Sequence, residues 1–254
     1  MAAADLAAPR FDDAVSGGGS GGGSDGGGAL PDRCDLLPLA MDVADSECVT
    51  EVMRRVEEWA PEGLDALVTF AGVGGLGLLM ETSVDDLATV MDVNVVGTHR
   101  TVLAGWQHVR RGGGRVILIG SEVGEQHAWP FNGPYAMSKH AMEAYADALR
   151  RELMFVGVPV VLMQPGPFRT SMVEGVSEVF EAVPDDSPFK ALARFGVEHT
   201  VDTLKRASDP SRLAEAVVRA ASNRPPGRAT GTRWEWTAAG HCSTGSRSAS
   251  SIRC

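Results

Sequence analysis

The stretch PFNGPYAMSKHAMEAYADALRREL at residues 130–153 decides the fold of this protein. After its Gly-Pro start, the Ala, Met and Leu content predicts a helix over Tyr135–Phe155. Tyr135 and Lys139 are four residues apart, so they lie on one face of that helix, one turn from each other. An ammonium group close to a phenol stabilises the phenolate, which suits general acid/base chemistry. Taken alone, the same spacing is also typical of a solvated helix face.

Four apolar runs around this helix predict the strands of a parallel sheet, because each is short and ends in polar or turn-forming residues. They are LLPLAMDV at 36–43, ALVTFAG at 66–72, RVILIGS at 115–121 and VPVVLMQPG at 158–166. Amphipathic stretches between them predict crossover helices, and the expected fold class is therefore α/β with a doubly wound parallel sheet. The predicted helices are Ser46–Trp59, Ser83 to about Trp106, and Asp209 to Ala221.

Two polar residues in apolar surroundings are further candidates for the site. Ser121 follows a predicted strand and places a hydroxyl beside the Tyr135 phenol, at the edge where open α/β sheets bind ligands. Asn94 is an amide inside an otherwise apolar helix. It either bonds back to a helix carbonyl or marks a kink that holds a water in a proton relay.

Composition narrows the class of protein. The chain has 254 residues, 44% of them hydrophobic, and a net charge of -10, which disfavours nucleic acid as a partner. Its four cysteines have neither metal-site spacing nor disulfide-scaffold density, so reduced thiols and no metal site are expected. No signal peptide is recognised, and the longest apolar stretch, at 66–80, is short for a membrane span. We therefore expect a cytoplasmic protein without membrane attachment.

Six motifs in a fixed order resemble the short-chain dehydrogenase/reductase family over roughly residues 36–220, and the segment around Tyr135 is most similar to its steroid and retinol dehydrogenase branch. The motifs are Asp42-Val43, Thr69-Phe70-Ala71-Gly72, Asn94-Val95-Val96-Gly97, Ser121, Tyr135 to Lys139, and Pro165-Gly166-Pro167-Phe168-Arg169-Thr170. The resemblance implies a Rossmann-like fold.

The resemblance also implies the roles of the site residues. Tyr135 is the acid/base, Ser121 hydrogen-bonds the reacting oxygen, Lys139 holds the nicotinamide ribose and lowers the tyrosine pKa, and Asn94 positions a relay water. A hydride cannot come from a side chain, so NAD or NADP is required. The implied cofactor contacts are Asp42, Val43, Ala71, Gly72, Asn94, Tyr135, Lys139, Pro165, Gly166 and Thr170.

Three departures from the family pattern are visible. An amide-rich Asn-Asn-Ala-Gly turn is replaced by Thr69-Phe70-Ala71-Gly72. Ser121 stands one residue farther from Tyr135 than is usual, so the loop between them must bulge. The TGxxxGxG turn that cradles a pyrophosphate is not found, and the first βα unit is therefore expected to be missing or replaced.

The predicted organisation has four parts. An N-terminal remnant at 1–15 and a Gly/Ser-rich linker at 16–30, natural or engineered, precede a Rossmann-like catalytic domain at 31–222. An irregular tail occupies 223–254. One hypothesis for the tail is a shifted reading frame from about Gly231, because a two-base offset with GC-rich codons yields an amphipathic sequence.

The expected function is hydride transfer between a nicotinamide cofactor and a small apolar alcohol or carbonyl substrate, by a homo-dimer or homo-tetramer. The alternative is a catalytically impaired, family-like binding or scaffold protein without the pyrophosphate loop. His127, Trp129 and Phe131 either line the substrate pocket or cover the core. Residues 171–207 are placed where a mobile lid is expected.

Overall fold

A parallel three-stranded sheet forms the centre of the fold in the computed structural model, which describes residues 36–170 and 176–222 and the backbone of 233–236 and 242–245. The strands are β1 (Ala66–Thr69), β2 (Arg115–Ile119) and β3 (Val160–Met163), in the order β1-β2-β3. Val68 pairs with Ile117, which in turn pairs with Val161. Three of the four predicted strands are thus confirmed, each shorter than its apolar run.

The predicted strand at 36–43 is wrong. Its residues have no strand conformation, and Leu36 is 81% exposed. A strand is defined by the hydrogen-bonded ladder to its neighbour, and among the described residues no strand pairs with this segment. An apolar run reports the tendency to be buried but carries no information on whether a neighbouring strand is present.

Helices connect the strands. The predicted helix at Ser46–Trp59 is confirmed as α1, whose first N–H groups bond to the Asp45 side chain. The helix predicted from Ser83 is capped by that serine but divides into α2, a π-helical turn and α3, which ends at Gly113 in a left-handed conformation with φ of 66°. The bounds are α2 Val84–Met91, the π-helical turn Asp92–Val96, α3 Gly97–Gly112, α4 Gly133–Met154, α5 Val176–Glu181, α6 Lys190–Lys205 and α7 Pro210–Ser222.

Both faces of the sheet are covered, which confirms the doubly wound α/β fold. On one face the strands pack against α3 and α4 through Val102 and Met142. On the other face Ile117 and Val161 pack against Ala216 of α7. Side chains of successive strand residues point to opposite faces, so a strand buried on both sides is mainly apolar, as β3 is throughout and β2 is after Arg115.

A smaller cluster lies beside the sheet and joins α5 and α6 to two loops. Its buried members are Leu78, Phe131, Phe180, Val183 and Ala193. Phe131 and Phe180 meet edge to face with ring centroids 4.7 Å apart. The segment that the sequence predicts as a lid is therefore packed against the loop that leads into α4.

Several predictions concern residues outside the described ones: the N-terminal remnant at 1–15, the linker at 16–30 and most of the tail at 223–254. Within that tail, the backbone at Arg233–Trp236 (β4) and Cys242–Gly245 (β5) forms an antiparallel pair. In the part of the chain that is described, no helix is both long enough and apolar enough to cross a membrane.

Candidate active site

The candidate site lies at the edge of the sheet where the carboxyl ends of β1, β2 and β3 meet, as expected for an open parallel sheet. Ser121 follows β2 after a single glycine and is buried. Tyr135 is in the first turn of α4, and the Ser121 side chain is close enough to its hydroxyl to lower the pKa of the phenol. The structure thus brings together the two hydroxyl groups that the sequence places in one site.

Lys139 lies one helical turn after Tyr135. Its Nζ is 5.5 Å from the centroid of the Tyr135 ring and donates to the Ile119 carbonyl at 3.2 Å. The side chain is 7% exposed, so the amine is nearly removed from water. Three of the four predicted catalytic side chains therefore occupy one small volume between β2 and α4.

Burial sets the titration of these groups. It raises the pKa of Tyr135 above its ordinary value and is the largest cause of the shift. The Ser121 side chain lowers this pKa, and the Glu122 carboxylate raises it. Burial also lowers the pKa of Lys139 to about 8. Burial is the largest cause of the shift in the protein alone, and the lowering of the phenol pKa by the Lys139 ammonium stays a prediction.

Asn94, the fourth predicted catalytic residue, lies in the π-helical turn and is 2% exposed. Its Oδ1 accepts from the Val73 N–H at 2.8 Å, and its Nδ2 donates to the Val73 carbonyl at 2.9 Å and to Ser138 Oγ at 3.0 Å. Ser138 Oγ in turn donates to the Tyr135 carbonyl at 2.8 Å. The amide therefore joins the loop after β1 to the helix that carries Tyr135.

Sequence reasoning missed both partners of Asn94. Val73 is 21 residues away and Ser138 is 44 residues away, and neither distance leaves a periodic signal. Ser138 is fully buried and lies directly before Lys139, so a small polar residue facing inward on α4 was the one available hint. The π-helical turn interrupts the regular helix at Asn94, in agreement with the expected kink. Such turns are frequent at functional sites.

The loop between Ser121 and Tyr135 accommodates its additional residue in two ways. A 3₁₀ turn at Glu122–Gly124 follows Ser121 directly. Farther on, Phe131 has φ of 65°, a left-handed conformation that is strained for a bulky side chain. Sequence reasoning also missed Glu122, whose half-buried carboxylate comes within 3.1 Å of the position that a Cβ at Gly166 would occupy.

The predicted cofactor contacts after β1 and β3 border the same edge. A Cβ at Gly72 would lie 3.2 Å from Asn94 Oδ1, so the backbone here passes close to the buried amide. Ala71 and Thr170 are exposed. The Pro165 carbonyl accepts from the Glu122 N–H at 3.0 Å, which joins the loop after β3 to the turn after Ser121.

The Asp42–Val43 turn lies apart from the reacting groups, before α1. Asp42 is exposed and its Oδ1 accepts from the Ala44 N–H at 2.8 Å. Val43 is buried and packs on Gly97 at the start of α3. This pair borders the sheet edge on the side of the π-helical turn, whereas Ser121 borders it on the side of β2. The crevice is the part of that edge between these two sides.

The three aromatic residues between Ser121 and Tyr135 separate into two kinds. Phe131 is 4% exposed and belongs to the small cluster with α5 and α6, which agrees with the core-covering alternative. His127 is exposed, and Trp129 is partly exposed and stacks on Phe195 of α6 with ring centroids 6.1 Å apart. Trp129 and Phe195 thus present apolar rings at the rim of the cluster.

The groups at this edge fit the ribose end of a nicotinamide cofactor. Lys139 carries three N–H donors, and within the described residues its hydrogen-bond acceptor is the Ile119 carbonyl. An ammonium held out of water with further donors is suited to neighbouring ribose hydroxyls. A Cβ at Gly74 would meet nothing within 4 Å, so the crevice beside the loop is open.

A family model described as short chain dehydrogenase matches residues 29–179. Human 17-beta-hydroxysteroid dehydrogenase type 1 is 37% identical over 186 residues, which is 72% of this chain and 56% of that protein. Retinol dehydrogenase 16 of Rattus norvegicus is 33% identical over 169 residues, 65% of this chain and 53% of that protein. The chain thus spans just over half the length of these two relatives.

Solved structures share the fold. A dehydrogenase/reductase from Sinorhizobium meliloti has a TM-score of 0.60 and 29% identity, with 77% of this chain and 70% of that chain covered. An alcohol dehydrogenase from the archaeon Thermococcus sibiricus, complexed with 5-hydroxy-NADP, has a TM-score of 0.58 and 23% identity, with 77% and 71% covered. The α/β architecture around the candidate site is therefore that of known dehydrogenases.

Proposed function

We propose that this chain transfers a hydride between a nicotinamide cofactor and an apolar alcohol or carbonyl substrate. The chain belongs to the short-chain dehydrogenase family and to its steroid and retinol dehydrogenase-like branch. The observation that carries the proposal is the proximity of the Tyr135 and Ser121 hydroxyl groups beside the buried amine of Lys139, whose Nζ is 5.5 Å from the Tyr135 ring centroid. When bound, NAD or NADP supplies the hydride that no side chain can provide.

Tyr135 moves the proton. Because burial raises its pKa, the phenol keeps its hydrogen near neutral pH and is ready to donate it from Oη to a carbonyl oxygen. In the reverse direction the same oxygen accepts the alcohol proton. Ser121, whose hydroxyl is close to that phenol, orients the substrate oxygen and stabilises the charge that develops on it.

Lys139 and Asn94 support this pair. With its pKa lowered to about 8, the Lys139 amine is charged at neutral pH, and its pKa is close enough to that pH for the amine to exchange protons readily. These properties suit a group that holds ribose hydroxyls and stabilises a phenolate. The Asn94 side chain is occupied by Val73 and Ser138. Its proposed part is therefore to set the position of the loop and of α4, with a relay water held nearby.

The remaining predicted contacts complete the cofactor side. We assign Asp42 and Val43 to the adenine end, Ala71 and Gly72 to close backbone approach, and Pro165, Gly166 and Thr170 to the nicotinamide end. A carboxylate near the adenine ribose disfavours the additional phosphate of NADP. The residue that distinguishes NAD from NADP is expected outside the described residues, so either cofactor satisfies the proposal.

An apolar substrate is supported by the side chains around the crevice. Leu79, Trp129 and Phe195 are each about half exposed, and the first two belong to the loops that flank the start of α4. Apolar walls with few polar groups are typical of small-molecule sites. The names of the two curated relatives, a hydroxysteroid dehydrogenase and a retinol dehydrogenase, favour the same substrate class.

Assembly and location are part of the proposal as well. A homo-dimer or homo-tetramer is supported by the apolar side chains that α3 and α4 expose, among them Leu103, Met137 and Met154. A cytoplasmic location is supported by the acidic composition and the free thiol of Cys48.

The chain contains two tyrosines, which makes a matched experiment possible. Reduction of a 17-ketosteroid and of retinal is measured with NADH and with NADPH for the unmodified protein, Tyr135→Phe and Tyr145→Phe. We expect Tyr135→Phe to lower kcat by about 10³-fold, because the proton donor is removed. Tyr145 is bonded to His99 at 3.2 Å, and Tyr145→Phe is expected to keep kcat within about twofold.

Cofactor binding decides between the proposal and its alternative. Quenching of tryptophan fluorescence by NADH or NADPH supports the enzyme. Retained turnover in Tyr135→Phe contradicts the catalytic assignment. An unmodified chain that binds neither cofactor at millimolar concentration contradicts the enzyme and favours the family-like binding or scaffold protein.

A further inference from the structure

Arg100 in α3 connects three segments that are separate in the sequence. Its Nε donates to Ser46 Oγ at 3.0 Å, its Nη1 to the Val43 carbonyl at 3.2 Å and its Nη2 to Asp92 Oδ1 at 2.9 Å. One guanidinium thus bonds to the first residue of α1, to the turn before α1 and to the π-helical turn. Its side chain is 22% exposed, so water competes weakly for these bonds.

The Asp42–Val43 turn depends on such contacts because no strand ladder fixes it. The segment before it, 36–43, is not paired within the described sheet. Within the turn, the Ala44 N–H bonds to Asp42 Oδ1 at 2.8 Å and the Asp45 N–H to the Asp42 carbonyl at 3.2 Å. These bonds set the shape of the turn, but they do not set its position relative to α3.

The other end of the Arg100 bridge leads, by way of the π-helical turn, to the loop after β1. Asp92 begins the π-helical turn, and Asn94 in that turn bonds to both backbone polar groups of Val73. Hydrogen bonds at both ends and the backbone of the π-helical turn therefore connect the turn at Val43 through Arg100 to the loop after β1. A planar guanidinium can donate in these three directions at once, whereas a lysine ammonium at the end of a flexible chain cannot.

We propose that Arg100 is a positioning residue that fixes the distance between the Asp42–Val43 turn and the π-helical turn, and that it thereby sets the affinity for the dinucleotide. The inference rests on the proposed function, since it takes the turn as a cofactor contact. Arg100 does not touch Ser121, Tyr135 or Lys139 in the described contacts. Its loss is therefore expected to change binding of the cofactor and not the proton transfer.

Arg100→Lys tests the first half without the cofactor. We expect the backbone amides of Ala44 and Asp45 to exchange hydrogen for deuterium several-fold faster than in the unmodified protein, because the turn loses its side-chain hydrogen bond to α3. Arg54→Lys is the matched control: Arg54 pairs with Glu51 and Glu58 on the exposed face of α1 and contacts no part of the crevice. Unchanged exchange in Arg100→Lys overturns the proposal.

Titration of the same proteins with NADH and with NADPH, followed by tryptophan fluorescence, tests the second half. Arg100→Lys is expected to raise Kd about tenfold, the equivalent of one charge-assisted hydrogen bond, and to raise the KM for cofactor with little change in kcat. Asp92→Asn, which keeps the shape of the partner but removes its charge, is expected to raise Kd about threefold. A loss confined to kcat, or equal Kd values in Arg100→Lys and Arg54→Lys, overturns the proposal.

The two hypotheses fail in different ways. If the unmodified chain binds neither NADH nor NADPH, the proposed function and the affinity claim fail together, while faster exchange in Arg100→Lys still supports the positioning of the turn. If the unmodified chain binds cofactor and Arg100→Lys binds it equally well, the proposed function stands and Arg100 has no positioning role.

Discussion

The two walls of the crevice are positioned by different forces. On the β2 wall, Ser121 and Lys139 are buried between a strand and a helix whose contacts are apolar. On the opposite wall, the turn of the exposed Asp42 and its neighbour Val43 is positioned by one hydrogen bond from Arg100 to the Val43 carbonyl and by close contact with Gly97. Apolar burial is spread over many contacts, whereas the turn depends on a few. Single substitutions should therefore displace the turn more easily than the reacting groups.

Lys139→Met addresses the cost of burying charge on the β2 wall. The pKa of Lys139 is lowered from 10.5 to about 8 by burial, so between about pH 8 and 10 the unfolded chain holds a proton that the folded protein has lost. The free energy of unfolding must then rise with pH over this interval, by up to about 3 kcal/mol. Below pH 8 both states carry the proton, and the folded protein bears the full cost of a buried charge.

Urea unfolding at several pH values between 7 and 10 measures this rise. Lys139→Met is expected to be more stable than the unmodified protein at pH 7 and to lack the rise, whereas the exposed Lys205→Met should retain it. Above pH 10 the opposite dependence begins, because burial raises the pKa of Tyr135 and the unfolded chain then loses its phenolic proton first. Parallel pH profiles for Lys139→Met and the unmodified protein contradict the picture of a buried charge.

Much of the β2 wall could be predicted from the sequence. The apolar runs predict β1, β2 and β3. A strand that is buried on both faces has a nearly continuous apolar sequence, and this pattern is visible without knowledge of the neighbouring strands. The spacing of Tyr135 and Lys139 fixes their relation on one helix, because the helical repeat is local. The direction of the phenol pKa in the protein alone cannot be read from this local spacing, because it depends on how deeply the tertiary fold buries the ring.

The opposite wall could not be predicted in the same way. The run at 36–43 has a strand composition, but a ladder requires a neighbour that composition does not reveal. Apart from the bond between Arg100 and Asp92, the side-chain bonds of Asn94 and Arg100 connect residues that are 21 to 57 positions apart in sequence. Contacts of this kind arise only when the helices pack, so a sequence can suggest the residue types but not the partners.

Gly97→Ala should displace the turn by steric contact. A Cβ at Gly97 would lie 2.8 Å from Val43 Cγ2 and 3.0 Å from the Val43 carbonyl oxygen, and neither a β-branched side chain nor backbone moves away easily. The expected loss of unfolding free energy is about 2 kcal/mol. Gly105→Ala is the matched control, because its nearest atoms are the flexible ends of Leu67 and Met53. We expect it to cost less than about 1 kcal/mol in urea unfolding.

The comparison of Gly97→Ala with Gly105→Ala shows which contact of α3 is the tighter one, because the variant with the larger loss of unfolding free energy marks it. If Gly105→Ala is the more costly one, apolar packing against β1 is tighter than the contact between α3 and the turn. The turn would then not be the sensitive wall of the crevice.

Asp45→Ala should have a smaller effect than Gly97→Ala, because it changes where α1 begins and leaves the Val43 contact in place. The Asp45 carboxylate accepts from the Glu47 and Cys48 N–H groups at 2.8 and 3.2 Å, and loss of such a cap costs about 1 kcal/mol. Thr50→Ala on the same helix is the control, since its hydroxyl bonds only to the Ser46 carbonyl one turn earlier. Urea unfolding should place Asp45→Ala between Thr50→Ala and Gly97→Ala. A cost equal to that of Gly97→Ala contradicts this order, because the turn would then be positioned by the start of α1 rather than by its contact with α3.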